Sequence, residues 1–176
     1  NIVVGYNAGT AITSGSSNVA IGVNAGDAIT TGSHNIAIGN AALSAEDTAG
    51  ASIAIGSSAL TSQNGGLYNV AVGNAALMAN VSGDYNVAIG YQAGLDLINA
   101  NKCTAIGTSA LENEQSGDEN TAVGYGALYL QNGAERNTAL GSRAGLAITT
   151  GNDNVSIGKD SGLALTSGDR NIALNL

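Results

Sequence analysis

The chain contains no proline, tryptophan or phenylalanine, and has one cysteine, one histidine and one methionine. Without Phe and Trp, which carry much of the burial in ordinary cores, a thick globular interior is excluded. Burial must come from small and β-branched side chains in a thin interior. Proline cannot donate to a sheet ladder and is kept out of central strands. A chain of 176 residues without one is therefore expected to use most of its backbone N–H groups between strands. The single cysteine, Cys103, rules out an intrachain disulfide and leaves the redox compartment open.

Positive charge is also scarce. Only Lys102, Arg136, Arg143, Lys159 and Arg170 oppose thirteen acids, giving a formal net charge of −8. With no basic stripe to displace counterions from a phosphate backbone, nucleic acid is not an expected partner. No apolar run reaches the roughly 18 residues of a membrane-spanning helix, and there is no signal or transit peptide. The chain starts in repeat register at Asn1. It is therefore expected to be a segment of a longer array or a processed chain, with any targeting or anchoring sequence outside it.

What is present is a repeat covering the whole chain. Units of 17 residues begin at 1, 18, 35, 52, 69, 86, 103, 120, 137 and 154, followed by a partial unit over 171–176. The expected fold is a single repeat domain over 1–176, an all-β parallel β-solenoid of ten 17-residue coils (a β-roll or β-helix). Position 2 is Ile, Val or Thr in every unit and position 4 is Val, Ile or Leu, while position 3 is Ala in all but Val3 and Ser156. Side chains alternate across a strand, so positions 2 and 4 share one face and the small residue takes the other. Either face can line the coil. A narrow coil favours Ala inside, with Val and Ile left for an axis between chains.

Position 5 is glycine in all ten full units: Gly5, Gly22, Gly39, Gly56, Gly73, Gly90, Gly107, Gly124, Gly141 and Gly158. Glycine there points to a turn with positive φ directly after the strand. A second turn is expected at positions 13 to 16, where sequences such as Thr-Thr-Gly and Val-Ser-Gly recur. Position 1 is Asn in nine units (Asn1, Asn18, Asn35, Asn69, Asn86, Asn120, Asn137, Asn154 and Asn171). Stacked about 4.8 Å apart, these amides should form a structural ladder, bonding to one another and to turn backbone. Cys103 occupies a place in this column and reads as a small buried substitute.

Positions 9 and 12 compensate each other. Gly9, Gly26, Gly94, Gly145 and Gly162 accompany apolar Ile12, Ile29, Leu97, Ile148 and Leu165. Leu43, Leu60, Leu77, Leu111 and Leu128 accompany polar Glu46, Gln63, Asn80, Glu114 and Gln131. One apolar pocket per coil, filled from one position or the other, accounts for the rule. It implies two local coil conformations, of which the Ala-Leu form could contain a short helical turn.

Catalytic chemistry is hard to find. His34 is the only histidine and stands at a variable turn position, and there is no phosphate loop, two-His zinc motif or cysteine pair. No enzyme activity, cofactor or metal is expected. Ser-Gly-Asp recurs at Asp84, Asp118 and Asp169, and Glu112, Glu114, Asp118 and Glu119 form an acidic cluster. These read as ordinary turns and a solvated turn face. Tyr6, Tyr91 and Tyr125 share position 6 and offer stacking surface for a sugar. A Thr face for ice binding is broken at position 13, where Asp47, Asn64, Val81, Ile98, Gln115 and Asn132 separate Thr13 and Thr30 from Thr149 and Thr166.

Asn-Val-Ala-Ile-Gly followed by a small residue and a Thr-Thr-Gly or Ser-Gly turn resembles the left-handed parallel β-roll head repeats of trimeric autotransporter adhesins. It is also similar to repeat arrays of phage tail-fibre and tail-fibre-domain proteins. The resemblance implies a left-handed, parallel homotrimer that attaches a bacterial cell or a virion to a surface, outside the cell. The partners implied are two further copies of the chain and a host receptor, matrix protein or glycan; from the residues themselves, variable positions 10, 16 and 17 are expected to carry the recognition. Two alternatives carry different expectations: a surface filament growing by end-to-end self-association, and an ice-binding solenoid.

Overall fold

The computed structural model describes residues 1–45, 48 and 50–175. Eleven three-residue strands, from β1 (Ile2–Val4) through β6 (Val87–Ile89) to β11 (Ile172–Leu174), form one parallel sheet in sequence order. The register advances by one repeat at each step, with Ile2 paired to Val19 and Val87 to Thr104. The fold is an all-β parallel solenoid of about ten coils with no helix among the described residues. At the usual strand spacing its axis is about 50 Å long.

The narrow-coil alternative is the one observed. Alanine at position 3 is fully buried from Ala20 to Ala139, whereas residues at positions 2 and 4 are half-buried or exposed on the outside of the sheet. Alanine at position 8 and the position-9 or position-12 aliphatic complete the interior.

Backbone bonding runs along the rod in both directions. The N–H of Asn24 donates back to the Tyr6 carbonyl at 2.9 Å, and two residues later the N–H of Gly26 donates forward to Ala42 at 2.9 Å. Left-handed backbone between them turns successive amides to opposite ends of the rod. Position 5 has φ between +105 and +141°, position 7 between +51 and +59°, and position 17 between +56 and +64°. At position 5 only glycine fits, since a Cβ on Gly90 would stand 2.7 Å from the Gly107 carbonyl. Elsewhere ordinary residues hold this strained conformation, 24 of them among the described residues. Inter-coil hydrogen bonds keep them there.

Among the described residues the two expected coil conformations are not observed, and neither is a helical turn. Position 9 is left-handed in both types, at +53 to +69° for glycine and +50 to +52° for leucine. The N–H of position 12 bonds to the position-9 carbonyl of its own coil in both. One backbone accepts two fillings because inter-coil bonding sets φ whatever the side chain. Glu46 and Asp47 lie outside the described residues.

The pocket itself is real. A Cβ on Gly94 would meet Leu97 Cδ1 at 2.7 Å, while Leu77 and Leu111 in the flanking coils fill the same volume from position 9. Gly94→Leu alone should destabilise by about 1–3 kcal/mol through overpacking. Gly94→Leu with Leu97→Gln should recover most of that loss. Urea unfolding of both singles and the double closes the cycle, and additive effects would contradict a shared pocket.

Candidate functional site

From Asn18 to Asn154 the position-1 asparagines line the interior. Each amide oxygen accepts the N–H of the next position-1 residue, as in Asn18 to Asn35 at 2.8 Å and Asn137 to Asn154 at 2.8 Å. The amide nitrogens of Asn1, Asn18, Asn69, Asn86, Asn120 and Asn137 donate to the position-15 carbonyl of their own coil, as in Asn86 to Ala100 at 2.7 Å, whereas the buried Asn154 Nδ2 has no partner among the described residues. Side chains therefore link through main chain. Direct amide-to-amide contact occurs at Asn171, which donates to Asn154 Oδ1 at 3.0 Å. Where Ser52 replaces Asn, the longer Gln63 closes the gap and donates to Ser52 Oγ at 3.0 Å and to the Gly66 carbonyl at 2.7 Å. Cys103 is buried as expected, with its thiol 3.2 Å from the Gly117 carbonyl. Burial pushes that thiol up to about 12, so it is no ready nucleophile.

The acidic cluster is not a solvated face as a whole. Glu114 is fully buried. Its Oε1 accepts the N–H groups of Ser116 at 3.0 Å, Gly117 at 2.6 Å and Gly133 at 2.7 Å. Polar residues at position 12 point inward because position-9 leucine occupies the apolar pocket, leaving them the polar strip beside the ladder. Gln131 is held the same way, donating to Ala134 at 2.9 Å and accepting from Asn137 at 3.1 Å. Asp118 is half-buried, and Glu119 is exposed on Lys102 at 3.0 Å.

Position 16, expected to be free for recognition, carries a second ladder of opposite polarity. The N–H of Leu67 donates forward to Asp84 Oδ1 at 2.7 Å, Asp84 to Asn101 at 2.9 Å and Asn101 to Asp118 at 2.8 Å. Glu135 to Asn152 and Asn152 to Asp169 repeat the pattern. The recurring Ser-Gly-Asp is thus an inter-coil clamp. Asn101 separates two of its aspartates, which keeps their like charges one coil further apart. Pattern reading overlooked it because Asp, Asn, Ser and Glu all serve the role.

Position 17 is an exposed column with alternating charge: Lys102, Glu119, Arg136, Asp153 and Arg170. Arg136 Nε meets Asp153 Oδ1 at 2.6 Å and also pairs with Glu135. At position 7, Arg143 Nε meets Asp160 Oδ1 at 2.6 Å. Hydrogen bonding from Arg136 and Arg143 holds the Asp153 and Asp160 carboxyls below their ordinary value, and the Glu119 hydrogen bond raises Lys102. Tyr68 and Tyr85 stack in the same column, with centroids 5.1 Å apart.

Two surface features remain. The outer sheet face is an uncharged stripe of position-2 and position-4 residues over all eleven strands. A groove of about 390 Å³ crosses several coils between positions 6 and 10, lined by Gln92, Ser109, Glu112, Tyr125, Tyr129 and Arg143. Tyr6 and Tyr91 lie outside it and are exposed. Among the described residues no group of His, Cys, Asp and Glu is placed to hold a metal, and no helix is long and apolar enough to cross a membrane.

Two outcomes follow from this geometry. Asn137→Ala strands the Asn154 N–H and the Gly151 carbonyl, both buried, and should cost about 3 kcal/mol in denaturant unfolding. The depressed carboxyls predict stability that is present above the unfolded aspartate value, about 3.9, and is lost as pH falls through the lower folded values. Melting temperature should drop over that acid range, and less steeply for Asp153→Asn with Asp160→Asn.

In comparison with known proteins, the chain matches no family model, and no curated protein or solved structure gives a significant match.

Proposed function

We propose that this chain is a non-enzymatic attachment module, a rigid rod that assembles as a parallel homotrimer and presents its corners to a host receptor, matrix protein or glycan. The resemblance of its repeat to adhesin heads and tail fibres gives the number three and an extracellular setting, on a bacterial surface or a virion tail fibre.

The observation that carries the reading is the outer stripe. Its 22 positions run from Ile2 to Leu174 without a charge or an amide, interrupted only by Thr104, Thr121 and Thr138. Several members are well exposed, among them Ile89 at 40% and Leu140 at 50%. A continuous apolar surface of this length marks an interface. Its side chains recur once per coil, so a partner that matches it along the whole rod needs the same axial period. A second copy of this chain in parallel register has that period.

Light scattering after size exclusion tests the assembly, and the expected mass is three chains. Ile38→Asp with Ile89→Asp places charges in the stripe of two coils without touching the interior. That variant should run as a single chain with unchanged far-ultraviolet circular dichroism. A monomeric wild type overturns the proposal, and an open-ended mass distribution favours the filament instead.

A further inference from the structure

The groove at the position-6 to position-10 corner has a floor that the fold does not require. Position 7 is left-handed in every coil, yet Asn, Ala, Ser, Gln, Arg and Asp all occupy it, at φ from +51 to +58°. Gly126 is its one glycine, at φ +59°. A Cβ there would meet only Arg143 Cγ and Leu146 Cδ1, both at 3.9 Å, an ordinary contact. Neither backbone geometry nor packing demands glycine. Its effect is to leave a gap in a column otherwise filled by side chains, between Ser109 and Arg143.

Two tyrosines of the same coil border that gap. Tyr125 is 61% exposed and Tyr129 is half-buried. Tyrosine gives a flat apolar ring with a polar tip, the surface on which the CH-rich face of a pyranose stacks. Ser109, Gln92 and Glu112 stand at the rim with no side-chain hydrogen bond to the protein, and Arg143 uses only its Nε, on Asp160. Donors and acceptors are thus both available for hydroxyl groups. The charges of Arg143, Asp160 and Glu112 leave no positive excess, so the site favours a neutral sugar over an anionic one. A volume of about 390 Å³ lies at the small end of ligand clefts and suits a mono- or disaccharide.

We infer that the groove around Gly126, walled by Tyr125 and Tyr129, is a binding site for a neutral pyranose-containing glycan. The inference rests on the attachment reading and makes its target specific.

Saturation-transfer difference NMR on the intact protein, with lactose, cellobiose, maltose and chitobiose as probes, tests it directly. Transfer to the ring protons of at least one disaccharide is expected. Gly126→Gln, a residue that the same column already carries at Gln92, should fill the groove without unfolding the coil and weaken the signal about tenfold or more. Tyr125→Ala should do the same, whereas Tyr91→Ala, at the equivalent position outside the groove, should leave it intact. Transfer that survives Gly126→Gln overturns the assignment, as does preferential binding of sialyllactose over lactose. Silence from all four probes, with the wild-type rod still adhering to mucin-coated beads, overturns the groove and spares the attachment reading.

Discussion

Hydrogen bonding parallel to the rod axis is the constraint on which everything else here depends. Within a coil the backbone makes only short turn bonds, such as position 8 to position 5 and position 12 to position 9, so most of its other amides must point at the coil before or the coil after. That requirement needs a backbone N–H at most positions of the repeat. It explains why proline is missing and why left-handed backbone recurs at positions 5, 7, 9 and 17. Each left-handed residue costs conformational energy. The cost is offset where it arises, by the bond its amide makes to a neighbouring coil, the preceding one at positions 5, 7 and 17 and the following one at position 9.

The same constraint sets the interior. Coils that stack at strand spacing and close within 17 residues leave room for alanine, one aliphatic side chain and a polar strip. Leucine at position 9 and isoleucine or leucine at position 12 compete for a single volume. When leucine holds it, the position-12 side chain is still carried inward by the unchanged backbone and must be polar, as Gln63, Gln131 and Glu114 are. Gln63 then spans the space that Ser52 leaves in the asparagine column.

Much of this was legible in the sequence. Alternation at positions 2 to 4, invariant glycine at position 5 and the asparagine column each reflect a steric or bonding demand that one residue type meets best, so identity reports structure directly. Left-handed geometry at positions 7 and 17 was not legible. There the demand falls on the backbone while the side chain faces solvent, and Arg143, Asp160 and Ser58 meet it equally well. The inward turn of Glu114 was hidden because a carboxylate in an acidic run reads as surface, and only the cradle of three amides distinguishes it. The groove was half visible: Tyr125 stood out, but Tyr129 and the significance of Gly126 depend on which coils lie side by side.

The two ladders run with opposite polarity, one giving each N–H to the coil behind and the other to the coil ahead. Seen mechanically, every junction between coils is a ring of bonds aligned with the long axis and loaded together. A tether pulled end to end would share the force across a whole cross-section at once. Failure would then require the loss of an entire ring, not the opening of a zipper from one edge.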